Sequence, residues 1–155
     1  MLQIVVDSRE QAPFRFDESI YSNTVIVDGS LQSGDYSLLG LENFIAIERK
    51  SLPDLVQCLG RDRERFEREL VRGRGLQFFA VVCEGSWRDI ANGNYKSKLS
   101  SHSASQSVAA FMARHNCPFF FAGSRRAAEY ITWSLLKQFA QGKKYESEAI
   151  LEAVS

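Results

Sequence analysis

Between Gly34 and Asp54 the chain carries the carboxylates Asp35, Glu48 and Asp54 and the cations Arg49 and Lys50. The apolar run "FIAI", Phe44 to Ile47, stops abruptly at the charged triplet "ERK". Side chains alternate along a strand, so Phe44, Ala46, Glu48 and Lys50 share one face and Ile45, Ile47 and Arg49 the other. An ion pair between Glu48 and Lys50 would satisfy both groups, and a lone triplet would be read that way, because a buried carboxylate needs a partner or a metal. The triplet is not alone. Asp35 follows a glycine in "SGDY", and a hairpin back to the triplet sets it beside Glu48. Asp7 ends another apolar run, "QIVVD". Carboxylates converging with a lysine suit a hard divalent cation held by oxygen, with an ammonium near a phosphate or an attacking water.

The elements that must position these groups follow from the apolar pattern. Strands are expected at residues 3–7, 24–27, 36–39 and 44–50, with a turn near Gly40, and again in "LQFFAVVCEG" and "CPFFFAG". Helices are expected over Ser51–Leu59, Arg61–Arg72 and Ser101–His115, over Ser124–Gln141, and as a short turn in "SWRDIANG". "DSREQAPFRF" reads as a loop. Hairpins dominate the first half and strand–helix alternation the second, which predicts an α/β architecture with a mixed central sheet flanked by helices. One domain is expected over residues 1–141, with residues 142–155 a tail or docking helix.

The bulk properties agree with one ordinary core. The chain has 155 residues, 45% hydrophobic and 25% charged. Nineteen basic residues balance nineteen acidic ones. Any attraction to nucleic acid must therefore come from a local patch rather than the net field. Cys58, Cys83 and Cys117 form no CxxC or Cys/His group, which argues against structural zinc and for reduced thiols in a cytosolic setting. The start lacks the pattern of a signal peptide, and no apolar run approaches the ~20 residues that cross a bilayer. The expected location is the cytoplasm, or the nucleus in a eukaryote, with no membrane partner.

"GDY" followed by "ERKSLPD" resembles the signature of the XPF-type structure-specific endonucleases: Gly-Asp, a spacer, Glu-Arg-Lys, three residues and Asp. "VVDSRE" resembles that family's first strand and loop, and "AVVCEG" its later strand ending in a glutamate. The likeness runs in family order over roughly residues 3–140. The family belongs to the PD-(D/E)xK superfamily, so the resemblance implies a restriction-endonuclease-like fold and magnesium-dependent cleavage of DNA, with Mn²⁺ able to replace Mg²⁺. By position it implies metal or catalytic roles for Asp7, Asp35, Glu48 and Lys50, with support from Arg49, Asp54, Glu10 and Glu84. The family's helix-hairpin-helix module and helicase have no room in 155 residues, which suggests a phage or mobile-element nuclease.

Each residue also has a plainer role to weigh. Ser51-Leu52-Pro53-Asp54 fits a helix start capped by serine, so Asp54 is divided between capping and the site. Arg49, facing away from Glu48, is expected to pair with a neighbouring carboxylate. Arg61, Arg65, Arg68 and Arg72 recur at helical spacing; a solvated face is the common meaning of such a run and phosphate contact the other. Arg61 is the best single choice for DNA, and Lys96 and Lys98, in a loop rich in hydroxyls, are further choices. His102 and His115 have no partner in the sequence, and Phe119–Phe121 reads as core strand. In the final helix Ala128, Ile131, Leu135 and Phe139 mark a stripe for the sheet, and the remaining apolar surface favours a homodimer. The rivals to a DNA-cleaving enzyme are a non-catalytic DNA-binding or scaffolding subunit and a nuclease-like domain used only for protein contact.

Overall fold

The structure, a computed structural model, describes residues 1–155. Six strands form one sheet in the order β2-β1-β3-β4-β5-β6. β1 (Leu2–Asp7) lies parallel to β2 (Thr24–Gly29) and antiparallel to β3 (Tyr36–Leu38). β3 returns antiparallel to β4 (Ile45–Lys50), and β5 (Phe78–Cys83) and β6 (Phe119–Phe121) continue parallel from there. The mixed sheet and the hairpin behind Asp35 are those expected from the sequence.

β4 and β5 are inner strands covered on both faces, which is why their apolar runs are continuous rather than alternating. Ala46, Phe79, Val81 and Cys83 point into a core with α1 (Leu52–Leu59), α2 (Arg63–Gly73), α3 (Trp87–Asn92) and α4 (Ser101–His115). Ile45, Ile47, Ala80 and Val82 point the other way, into a core closed by α5 (Arg125–Val154) and by Phe14, Phe16 and Tyr21. Four helices begin at a serine whose hydroxyl accepts a backbone N–H: Ser51, Ser86, Ser100 and Ser124. All three cysteines are free and buried. No helix is long and apolar enough to cross a membrane.

The segment expected as a loop at residues 7–16 carries no helix or strand beyond Asp7, and it packs as an aromatic strap: Phe14 stacks on Tyr36 with centroids 5.2 Å apart, and the Phe14 N–H donates to the Tyr36 hydroxyl at 2.8 Å. Two expectations for the final helix shift in the structure. The buried stripe of α5 is Ala128, Thr132 and Leu136, with Ile131, Leu135 and Phe139 on its flanks, because the helix is rotated toward the sheet by about one residue. Thr132 meets its own need by donating to the Ala128 carbonyl at 2.8 Å. And α5 shows no break near Gln141 but runs on to Val154.

Candidate active site

The charged triplet lies where β4 leaves the core, and the pleat sorts it as the alternation requires. Glu48 and Lys50 face α1 and α2; Arg49 faces the strap and α5. Gly34 makes the return of Asp35 feasible. Its φ is +74°, and a Cβ there would sit 2.9 Å from the Ala46 Cβ and 3.0 Å from the Ile47 carbonyl oxygen. Asp35 N–H donates to the Ile47 carbonyl at 2.8 Å, and the Arg49 N–H donates to Asp35 Oδ2 at 2.7 Å. The backbone of one strand end thus grips the carboxylate of its neighbour and holds it beside Glu48.

On this face, charge is poorly compensated. Burial pushes the Asp35 carboxyl up to about 6, and the Glu10 carboxylate pushes it the same way. Burial and the nearby Asp35 raise Glu48 well above the ordinary carboxylate range. Lys50 Nζ stands 3.4 Å from Glu48 Oε1. Burial works against its charge, but Glu48 and the other anions around it outweigh burial, and Lys50 holds its proton more firmly than usual. Glu69 and Arg72 of α2 line the same cleft as Asp7, Asp35 and Glu48. Arg65, Asp54, Asp62 and Gln57 line its continuation past Lys50.

The opposite face is saturated. Arg49 makes two bonds to Glu10, Nε to Oε2 at 2.9 Å and Nη2 to Oε1 at 2.7 Å, and a third from Nη1 to Glu84 Oε1 at 2.7 Å. Arg125 reaches the same Glu84 oxygen at 3.1 Å and the carbonyls of Ala12 and Pro13 at 2.8 and 3.0 Å. Burial opposes the charge of Glu10, but Arg49 outweighs it and holds that carboxyl below its usual range. Glu10, Arg49 and Glu84 therefore clamp the strap, β4, β5 and the start of α5 together; Glu10 and Arg49 also line the cleft beside Asp35 and Lys50, and Glu84 stands behind them.

Asp7 is buried at the cleft's margin with both oxygens engaged. Oδ1 accepts from the Arg9 N–H and Nε at 2.8 and 2.9 Å; Oδ2 accepts from Arg9 Nη2 and the Leu31 N–H at 2.9 and 2.8 Å. The Arg9 guanidinium holds its carboxyl down at about 2 against the cost of burial. Asp54 donates its N–H to Ser51 Oγ at 3.2 Å, so the serine caps the helix without a reciprocal bond from the Asp54 carboxylate, which is exposed and lines the cleft. Arg61 does not line the cleft; it lies with Lys96 in an adjoining groove that shares Gln57 with it. Lys98 is exposed in the same loop. His102 is exposed, and His115 is buried beside the start of β5 with Nε2 3.2 Å from Glu67.

No group of three or more His, Cys, Asp or Glu side chains is drawn together tightly enough to enclose a metal. The donor set nonetheless fits a hard divalent cation. Mg²⁺ is commonly held by one or two carboxylates and keeps several waters. Asp35 and Glu48 are two desolvated carboxylates whose mutual repulsion such a cation relieves. Asp7 would have to give up bonds from Arg9 or Leu31 to join them. The sequence reading did not single out Glu69 or Arg9. Glu69 carried a faint signal: it is four residues after Arg65 on the helix that follows the site.

This arrangement can be set against known proteins. Among solved structures, the chain resembles XPF from Aeropyrum pernix in complex with DNA, with a TM-score of 0.70 and 17% identity over 92% of this chain. It resembles a further structure of XPF from Aeropyrum pernix with a TM-score of 0.69 and 19% identity over 88%. The matches span 66% and 60% of those chains, and at such identity they establish a shared fold. No curated protein sequence matches the chain. The ERCC4 domain matches residues 6–132, a span that takes in Asp7, Asp35, the charged triplet and all of α2. The cleft and the clamp beside it are thus parts of one recognised unit, and the chain belongs to the ERCC4 domain family of nuclease domains.

Proposed function

We propose that the chain is a divalent-metal-dependent DNA endonuclease that hydrolyses phosphodiester bonds at branched or otherwise structured DNA. The observation that carries this reading is the pair of desolvated carboxylates, Asp35 and Glu48, beside a charged Lys50 in a polar cleft at the end of β4. Asp35 and Glu48 would hold Mg²⁺, or Mn²⁺ in its place, with Asp7 adjacent. Such an ion supplies Lewis-acid polarisation of a phosphoryl oxygen and lowers the pKa of water. Lys50 contributes a fixed ammonium to orient the attacking water or to balance charge on the phosphate. Arg49 acts through its backbone N–H, fixing the Asp35 carboxylate, while its guanidinium keeps the strand end rigid.

The cleft extends past Arg65 to the groove of Arg61 and Lys96, so a phosphate backbone crossing the site meets cations on its way out. A homodimer is the assembly we infer, and its support is the far end of α5, where Tyr145, Ile150, Leu151 and Val154 are exposed. The deciding experiment is cleavage of single-stranded, duplex, flap and four-way DNA with Mg²⁺, with Mn²⁺ and with EDTA. Cleavage that needs the metal, and falls about a thousandfold or more in Glu48→Ala, is expected, since a lost metal ligand removes several kcal/mol of transition-state stabilisation. DNA binding without cleavage under every condition would replace the enzyme with a scaffolding subunit.

A further inference from the structure

The α2 helix closes one side of the cleft. Its residues Arg65, Glu69 and Arg72, spaced four and three apart, share one face and line the cleft around Asp35 and Glu48. The approach of α2 to the sheet is close: Gly73 at its end lies where a Cβ would be 2.2 Å from the Phe79 ring. Arg65 pairs with Asp62 at 3.7 Å, and Glu48 pairs with Lys50. Glu69 has neither kind of partner. Its Oε2 is shut off from solvent and accepts no hydrogen bond from any group of the chain. A carboxylate oxygen left so costs stability, and native structures keep few of them. Three arginines, Arg65, Arg68 and Arg72, lie within four residues on the same helix, yet none reaches it.

We infer that Glu69 is a positioning residue of the metal site, whose Oε2 accepts a hydrogen bond from water carried by a divalent cation at Asp35 and Glu48. This rests on the metal-dependent reading above and extends it to an element that the charged triplet does not include. Glu69 is not drawn together with two other carboxylates into a metal cage, which favours a water-bridged role over direct ligation. Outer-shell carboxylates of this kind orient what the ion carries and commonly change affinity by about 10–100-fold when lost. For Glu69 the acceptor is present, desolvated and idle, and the donor it requires is one that the chain does not contain.

The test is Mn²⁺ binding to the full chain without DNA, followed by the electron paramagnetic resonance of free Mn²⁺, for wild type, Glu69→Ala, Glu69→Gln and Glu48→Ala. Thermal melting in EDTA is run on each. Glu69→Ala is expected to weaken Mn²⁺ binding about 10-fold or more while its melting point in EDTA holds or rises. Glu69→Gln keeps an acceptor oxygen and is expected to stay within about fivefold of wild type. Wild-type affinity in Glu69→Ala, with Glu48→Ala weakened, overturns the inference and leaves the metal site standing. A Gln variant as weak as the Ala variant also overturns it, since charge alone would then be the contribution. Wild type that binds no Mn²⁺, or Glu48→Ala that binds as well as wild type, removes the metal reading itself and this inference with it.

Discussion

The two faces of one strand end are built on opposite terms. Toward the strap, Arg49 has three side-chain hydrogen bonds to two glutamates, and Glu84 is held a second time by Arg125. Toward α2, Glu48 has Lys50 as its ion-pair partner, and Asp35 and Glu69 have none. Consecutive residues of β4 thus serve a filled network and an unfilled one. The filled side supplies rigidity, and the unfilled side keeps capacity for a cation and a phosphate. Asp7 and Asp35 repeat the contrast on neighbouring strands, one carboxyl held at about 2 and the other raised to about 6. A carboxylate at a strand end is therefore not defined by its position but by how many donors meet it.

The largest effect should come from breaking the filled face. Arg49→Met leaves the part-buried Glu10 without its cation and Glu84 with Arg125 alone, and removal of one member of a buried pair typically costs up to about 3–5 kcal/mol. Urea unfolding measures it, and a loss below about 1 kcal/mol would show that the clamp is not a source of rigidity. The unfilled face should respond the other way. Asp35→Asn keeps an oxygen for the Arg49 N–H and removes a desolvated charge, so in EDTA at pH 7 it is expected to gain up to about 3 kcal/mol. Cleavage is expected to be lost in the same variant, and a variant that loses both stability and cleavage would merge the two faces into one structural unit.

The smallest effect, and the sharpest contrast, is in pH. Folded Asp7 binds its proton less tightly than the unfolded chain, so its contribution is full above about pH 4 and is lost as pH falls toward 2. Folded Asp35 binds its proton more tightly, so its penalty is absent below about pH 4 and complete above about pH 6. Between those values Asp35 alone should make metal-free stability fall with rising pH by about 1 kcal/mol per unit, and Glu48, raised as well, adds to the fall. Asp35→Asn should reduce that slope and leave the acid limb; Asp7→Asn should weaken the acid limb and leave the slope. Chemical denaturation from pH 3 to 7 in EDTA separates them.

What the sequence made legible was local. The face alternation of residues 44–50, the glycine before Asp35 and the serine start at Ser51 depend on neighbours within a few residues, and each stands in the structure as read. The partners of Arg49 were not legible, because Glu10 and Glu84 lie 39 and 35 residues away and meet it only when the strap and β5 fold against β4. The strap is the loop that its sequence suggests, but Pro13 and its polar neighbours hid the burial of Phe14 and Phe16. Arg9 was hidden by proximity: a guanidinium two residues from Asp7 can fold back on it, and only the turn decides that. Glu69 was one charge among many on an arginine-rich helix, and its lack of a partner is a property of the packed cleft alone.

The length of α5 has a hydrodynamic consequence. From Lys144 to Val154 every residue is exposed, and at 1.5 Å per residue this stretch extends the molecule by about 16 Å. A compact chain of this size has a radius of gyration of only about 15 Å. Friction in solution follows shape as well as mass, so a single copy should migrate through a sizing column ahead of spherical standards of 17.5 kDa. Early elution is then what one molecule with a rod attached would produce, and only a measurement of mass itself, by sedimentation equilibrium or light scattering, can count the copies.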